Sequence, residues 1–453
     1  MKDYRHIYLI GIGGIGMSAI ARYYRHEGLD VGGYDRTPSP ITSALEKEGI
    51  HVHFEDRPDL LPEDTGSTLV IYTPAVPEEL GEMVMARKRG YDMIKRSRAL
   101  GEIASRKKCL AVSGTHGKTT TSTMLAHLLT DSGEGCTAFL GGISKNYGTN
   151  LLLSANNVLV AEADEFDRSF LQLYPDTTIV TSMDADHLDI YSNIENLRQA
   201  FRELGHQTGK YLIVHKGLEQ HFAGPGIRAK VMTYGEEGGD FHASGIHRGE
   251  DGYPVFDLHL QDCIIEKCRL GIPGMVNVGN ATAAAAAAYL HGTPSDAIKS
   301  ALGSFMGVSR RFDIRVNTGS HIYIDDYAHH PAELAATLES IRHAWPDKRI
   351  CAVFQPHLYS RTRDFQTEFA EALSKADSLI LLPIYPAREE PIPGICSEII
   401  LDKATVQDRK LVQKDRLMDE LSGRETEILV TFGAGDIDRF VPEIEKLIAG
   451  RYA

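Results

Sequence analysis

The sequence predicts an α/β protein of three domains built on mostly parallel sheets. Three observations predict it. The chain has 453 residues, against a soft prior of about 150 per domain. Two glycine turns, at residues 11–16 and 114–117, each stand between an apolar strand and a helix. The last third alternates short apolar runs with helical stretches, the pattern of a doubly wound sheet. Hydrophobic content of 42% and charged content of 24% are ordinary for a globular enzyme. A net charge of −14 argues against nucleic-acid and anionic-membrane partners. No apolar run approaches the roughly 20 residues that span a bilayer. Met1–His6 leads into a strand and not into a signal peptide. Six scattered cysteines lack zinc-ligand spacing, so reduced thiols and a cytoplasmic location are expected.

In the first third, Ile7–Ile10 reads as a strand that enters Gly11-Ile12-Gly13-Gly14-Ile15-Gly16 and then a helix. A second strand, Val31–Tyr34, ends at Asp35. This is the Gly-x-Gly-x-x-Gly arrangement, with an acidic residue about 20 positions on. It calls for a diphosphate at a helix N-terminus, from NAD or from a UDP-sugar, and a tight turn without ligand is the plain alternative. Asp35 would reach a ribose or simply face water. Thr68–Tyr72 reads as a strand followed by a proline-rich turn, which makes Thr73 a candidate contact. Arg96–Arg106 reads as a basic helix leading to a boundary near Lys107.

The middle third is organised around Gly114-Thr115-His116-Gly117-Lys118-Thr119-Thr120. It follows the apolar run Cys109–Val112 and precedes a helix. Unpaired amides and the positive helix end suit a phosphate there. Lys118 would reach outer phosphates and the Thr119 hydroxyl a Mg²⁺ ion. The usual spacing wants glycine at 112, where this chain has Val112. Residues Gly141–Asn150 read as a polar loop. Val158–Ala161 reads as a strand ending in Glu162-Ala163-Asp164-Glu165-Phe166-Asp167, four crowded carboxylates that call for a cation. A strand over Thr178–Thr181 leads to Asp184, Asp186, His187 and Asp189, where His187 is a candidate for metal or phosphate. Asn277 and Asn280 share one helix face, to cap the helix or hold a nucleotide.

In the last third, Arg310 and Arg311 form a candidate phosphate clamp near a domain junction. Strands are expected at Ile322–Ile324, Arg349–Phe354, Ser378–Pro383 and Glu427–Phe432. Their carboxyl ends bring Gln355–Arg363, Tyr385–Glu389 and Gly433–Asp436 toward one crevice. Arg361 and Arg363 could grip a carboxylate bidentately.

In this order, Gly11–Ser18, Gly114–Thr120, Glu162–Glu165, Asp186–Asp189, Arg310–Asp313, Asp325–Pro331 and Gln355–His357 resemble the Mur ligase family, and the likeness spans the whole chain. The family cradle has the shortened spacing found here. The resemblance implies a Rossmann-like N-terminal domain over residues 1–106 that holds a UDP-sugar. It implies a central P-loop ATPase-like domain over 107–314, with a mostly parallel sheet, that binds ATP and Mg²⁺. It implies a Rossmann-like, doubly wound C-terminal domain over 315–453 that brings an amino acid. Carried over by motif position, Lys118, Glu162, His187 and Arg311 would be catalytic. Gly114–Thr120, Asn277, Asn280, Arg311 and Asp326 would contact ATP, and Thr119, Glu162 and His187 would serve the metal. Gly11, Gly13, Gly14, Ile15, Gly16, Asp35, Thr73, Thr149 and Asn150 would contact the UDP-sugar. His330, Arg361 and Arg363 would contact the amino acid.

The implied reaction, in peptidoglycan precursor synthesis, joins L-alanine to the lactyl carboxylate of UDP-N-acetylmuramate. ATP first converts that carboxylate into an acyl phosphate, which the amine then attacks. A monomer or weak homodimer is expected. The chain departs from the family at Val276, where many relatives have His, at Phe54-Glu55-Asp56 in place of a Gly-His, and at Leu358, where some have Arg. Arg202 falls where several relatives carry a carbamylated lysine, so no such modification is expected. The alternatives are a related ligase that adds another amino acid or a peptide, a dinucleotide-dependent oxidoreductase, and a nucleotide-binding sensor without turnover.

Overall fold

The computed structural model describes residues 4–185, 188–387 and 389–452. The chain is a three-domain α/β protein with three sheets. It divides into two compact units. One takes Met1–Ser244, Asp257–Cys268 and Gly279–Phe305; the other takes Gly245–Phe256, Arg269–Val278 and Met306–Ala453.

The first sheet contains β1 (His6–Ile10), β2 (Asp30–Tyr34), β3 (His51–His53), β4 (Thr68–Tyr72) and β5 (Asp92–Lys95). Its order is β3-β2-β1-β4-β5, and every pairing is parallel. The reversal of strand order beside β1 is where such sheets bind ligands, beyond the strand carboxyl ends. The first turn follows β1 there. The altered stretch Phe54-Glu55-Asp56 has a structural task. The Asp56 carboxylate accepts from the Gly81 and Glu82 amides at 2.7 and 2.9 Å, closing the N-terminus of helix Gly81–Arg89.

The second sheet contains β6 (Lys108–Ser113), β7 (Thr137–Ser144), β8 (Thr149–Leu152), β9 (Val158–Glu162), β10 (Thr177–Val180), β11 (Tyr211–His215), β12 (Lys230–Gly235), β13 (Phe241–Arg248), β14 (Pro254–Leu260) and β15 (Cys263–Arg269). Its order is β15-β14-β13-β12-β11-β10-β6-β9-β7-β8. From β12 to β7 the neighbours are parallel, and β8 closes the edge antiparallel to β7. Strands β6 and β9 are covered on both faces, so they read as unbroken apolar runs. Ala281 and Ala283–Ala288 of helix Val276–His291 are fully buried, and their small side chains let the helix lie close to its neighbours.

The expected polar loop at Gly141–Asn150 is a turn only over residues 145–148, flanked by the strands β7 and β8 that pair as a hairpin. Its glycines mark a close approach and not a loop. A Cβ on Gly141 would stand 2.3 Å from a Glu162 carboxylate oxygen.

The third sheet contains β16 (Asp313–Asn317), β17 (Ile322–Asp326), β18 (Ile350–Phe354), β19 (Ser378–Leu381), β20 (Asp408–Leu411) and β21 (Ile428–Phe432). Its order is β16-β17-β21-β18-β19-β20, parallel except for β16. The sequence did not announce β16 or β20. Both are edge strands with half-open faces and lack the apolar run that marks the buried ones. Among the described residues no helix is long and apolar enough to cross a membrane.

Candidate active site

The central turn is built as the sequence expects. β6 ends at Ser113. The backbone enters the left-handed half of the map at Gly114 (φ +133°) and Gly117 (φ +78°), and helix Lys118–Asp131 begins. A Cβ on Gly114 would lie 2.0 Å from the Thr181 hydroxyl oxygen, so only glycine fits. The loop is tied to the carboxyl end of β10. The His116 amide donates to Ser182 Oγ at 2.8 Å, and Thr115 Oγ1 lies 2.9 Å from the same oxygen. The Thr181 hydroxyl donates to the His116 carbonyl. Thr120 is half-buried beside this corner.

Lys118 turns back on its own loop. Its ammonium donates to the Gly114 carbonyl at 2.7 Å and to Glu165 at 2.9 Å. Burial works against that charge, but the Glu165 and Asp164 carboxylates outweigh burial and keep the ammonium protonated above lysine's usual range. Burial in turn pushes the Glu165 carboxyl up to about 7, against the pull of Lys118. Thr119 Oγ1 donates to Glu162 Oε1 at 3.1 Å, and the Gly141 amide donates to Glu162 Oε2 at 3.2 Å. Thr121 Oγ1 donates to Asn280 Oδ1 at 3.1 Å, which places Asn280 beside Gly117.

The four carboxylates after β9 do not share one cation, as their spacing suggested. Glu162 meets Thr119 and Gly141, Glu165 meets Lys118, Asp167 meets Lys95 at 2.9 Å, and Asp164 stands 4.0 Å from Arg96. A turn with Asp167 and Arg168 at φ +53° aims them apart. His187 and Asp186 lie outside the described residues. Among the described residues no group of three His, Cys, Asp or Glu could hold a metal. Arg202, in place of a modifiable lysine, pairs with Glu195 at 2.7 Å.

At the first turn, protein groups already take the early amides. Gly11 and Ile12 donate to the Tyr34 carbonyl, Gly13 donates to Asp35 Oδ2 at 2.8 Å, and Gly14 donates to the Gly11 carbonyl. Asp35 therefore braces the turn, and the next amides toward an anion are those of Ile15, Gly16 and Met17 at the start of helix Ile15–His26. Thr73 packs its methyl on Gly11 (φ +89°), and the Arg96 guanidinium packs on Gly16. Asn150, on β8, is fully buried. It donates to the Ile15 carbonyl at 2.5 Å and to Ser18 Oγ at 3.0 Å, and it accepts from Arg22 at 2.5 Å. Thr149 Oγ1 accepts the Leu151 amide.

Arg311, Asp326, Asn277, His330, Arg361 and Arg363 all belong to the second unit. Asp326 ends β17, fully enclosed. It accepts from the Phe312 and Ala328 amides and from Thr337, and burial pushes it up to about 6 against the charge of Arg311. Arg310 and Phe312 hold left-handed backbone (φ +63° and +45°), strain that these bonds sustain. Arg310 is committed to Asp325 and the Gly433 carbonyl. Arg311 instead stacks 4.9 Å from the Tyr327 ring. Asn277 donates to the Pro273 carbonyl at 2.7 Å. His330 caps helix Pro331–Ala344, with Glu333 completing the capping box. Arg363 pairs with Asp364 at 2.7 Å, while Arg361 lies close enough to depress His329. Leu358 (φ +70°) starts the helix that carries both arginines. Gln355 reaches Asp436 at 2.7 Å and His357 stacks on Tyr385, so the three strand-end segments do converge. Sequence reasoning passed over Arg96, the Lys118–Glu165 pair and His329. Arg96 and the pairing of Lys118 with Glu165 depend on packing that local sequence does not mark, and His329 lies in a quoted motif without having been given a role of its own.

Comparison with known proteins covers the whole chain. Residues 6–108 match a family model described as Mur ligase family, catalytic domain; residues 112–288 match the Mur ligase middle domain; residues 310–435 match the Mur ligase glutamate ligase domain. The chain is 47% identical to the UDP-N-acetylmuramate–L-alanine ligase of Phocaeicola vulgatus, over 97% of each chain. It is 47% identical to that of Porphyromonas gingivalis strain W83, over 98% of this chain and 99% of the relative. The crystal structure of the UDP-N-acetylmuramate-alanine ligase of Thermotoga maritima matches with a TM-score of 0.83 at 28% identity, over 97% of this chain and 99% of that one. A murein peptide ligase from Psychrobacter arcticus, at 22% identity, shares the fold with a TM-score of 0.70 over 98% of each chain. Three family models that together cover most of the chain, and relatives 47% identical from end to end, mean that the chain belongs to the Mur ligase family.

Proposed function

We propose that the chain joins L-alanine to the lactyl carboxylate of UDP-N-acetylmuramate at the expense of ATP. The observation that carries this reading is the Gly114–Thr119 corner, where a lysine, a hydroxyl and a run of helix-start amides converge beside Glu162. The names of the relatives supply the substrates. The corner's amides and Lys118 spread the charge on the transferring phosphoryl group. The residues fit a Mg²⁺ ion: Thr119 and Glu162 offer hard oxygens 3.1 Å apart at a phosphate cradle, and such ions rely on one or two carboxylates plus substrate phosphates. Mg²⁺ bound there would offset phosphate charge. His187 is a further candidate ligand.

The UDP-sugar diphosphate takes the amides of Ile15–Met17, with Gly11–Gly16 shaping the turn and Asp35, Thr73, Thr149 and Asn150 supporting it. Arg361 takes the amino acid's carboxylate, and Arg311 and Asp326 are assigned to the nucleotide by motif position. The domain borders follow residues 1–106, 107–314 and 315–453, the last drawn back before Asp313, where β16 opens. The reading also places the enzyme in the cytoplasm as a monomer or weak homodimer.

The test is ADP release with ATP, Mg²⁺, UDP-N-acetylmuramate and each of alanine, glycine, serine and a tripeptide in turn. Release that depends on the sugar nucleotide and is fastest with L-alanine supports the proposal. Release indifferent to the amino acid, or hydride transfer to NAD, overturns it.

A further inference from the structure

An amino acid at neutral pH carries an ammonium without a lone pair, so a ligase must remove a proton before the nitrogen can attack. We infer that His329, oriented by the Tyr327 carbonyl with Glu333 beside it, is the general base that takes this proton. The inference rests on the ligation reading above.

The first observation is the tautomer. His329 Nδ1 lies 3.1 Å from the Tyr327 carbonyl oxygen and 3.5 Å from Glu333 Oε2. Both oxygens only accept, so Nδ1 carries the hydrogen and Nε2 is left with its lone pair. Among the described residues no hydrogen bond is made by Nε2. The Tyr327 carbonyl holds the ring, and the Glu333 carboxylate beside it favours the imidazolium once the ring takes a proton.

The second observation is position. The His329 side chain is 19% exposed, so the ring is sheltered yet reachable. It stands edge-on to the Tyr327 ring at 5.4 Å and to the His357 ring at 6.0 Å, and His357 stacks in turn on Tyr385. Arg311 covers Tyr327. The charges facing the imidazole are Glu333, Arg361 and Arg311. Burial, with the two arginines, pulls the ring down to about 4 against Glu333, so it is neutral at physiological pH. The amine and carboxylate of an α-amino acid share one carbon. A carboxylate gripped by Arg361 therefore carries its ammonium into the neighbourhood of the imidazole.

The third observation removes the competitor. His330 is tied up as the cap of helix Pro331–Ala344.

In the step, the ammonium gives one proton to Nε2. The freed lone pair forms the N–C bond at the acyl carbon, the C–O bond to phosphate breaks, and the nitrogen's second surplus proton leaves with the phosphate. Glu333 steadies the imidazolium, which then releases its proton to solvent.

The test compares the wild type with H329Q and H329N in the full chain, with ATP, Mg²⁺ and UDP-N-acetylmuramate. One arm supplies L-alanine. The other supplies hydroxylamine, whose amine is already unprotonated near neutral pH and traps the acyl phosphate as a hydroxamate. Loss of a general base predicts a fall of about 10²–10⁴-fold in alanine turnover at pH 7. Hydroxamate formation should stay within a few-fold. The variants' alanine rate should recover with pH at about tenfold per unit, because only free amine reacts. Equal losses with both nucleophiles in either folded variant, or unchanged alanine turnover, overturn the inference. A wild type that yields no hydroxamate instead overturns the ligation reading itself.

Discussion

Lys118 at the start of a helix after a glycine turn was legible, because glycine, lysine and threonine in a row between strand and helix set that turn. Its partner was not legible, since Glu165 lies 47 residues away and only the return of β9 beside β6 brings it back. Replacing Lys118 with alanine should cut ADP formation by about 10³-fold or more, the scale of losing a cationic donor from a phosphoryl-transfer site. UDP affinity, read by calorimetry, should hold. Full ADP release by K118A would end the assignment. Asp326 makes a prediction about pH. Burial lifts its carboxyl from 3.8 to about 6, so the folded state binds the proton more tightly than the unfolded chain does. Its contribution is best at or below about pH 4 and is lost as pH rises to about 6, on the order of 2–3 kcal/mol. Melting temperature followed across pH 4–7 should therefore fall less steeply in D326N than in the wild type. Parallel curves would refute the link.

At the scale of elements, the apolar runs of β1, β4, β6, β9, β10, β17, β18, β19 and β21 were legible, because strands covered on both faces must be apolar throughout. The hairpin of β7 and β8 was missed because Gly141 makes room for Glu162, and a glycine pair reads locally as a loop. The edge strands β16 and β20 were missed because almost none of their residues is buried. Helix ends can be tested one by one. Ser39 accepts the Thr42 amide while the Thr42 hydroxyl accepts the Ser39 amide. Ser39→Ala should cost about 1 kcal/mol, seen as a melting point a few degrees lower with unchanged kinetics. Asn150→Ala strips three bonds from the first turn's helix. A loss of about 1–3 kcal/mol should accompany weaker UDP binding, with ADP binding unaffected. Equal UDP affinity in the variant would make Asn150 a pin for stability alone.

Across the whole molecule, length and the two glycine turns were enough to foresee three α/β domains, since each turn needs its own sheet behind it. The division of residues between compact units was not legible, because it depends on which segments pack and not on order along the chain. If the two turns hold separate nucleotides, UDP and ADP should each bind one equivalent, and neither should compete with the other in calorimetry. A single shared site would contradict the proposed roles of both turns.

The pairing of Lys118 with Glu165 has a consequence for how tightly a nucleotide can be held. The carboxylate is a tethered rival for the ammonium, present at a fixed effective concentration whatever the cell contains. Any phosphate that engages Lys118 must first evict it, and on departure the carboxylate takes the cation back. Affinity is thereby traded for quick exchange of spent nucleotide, and E165Q should hold ADP longer than the wild type does.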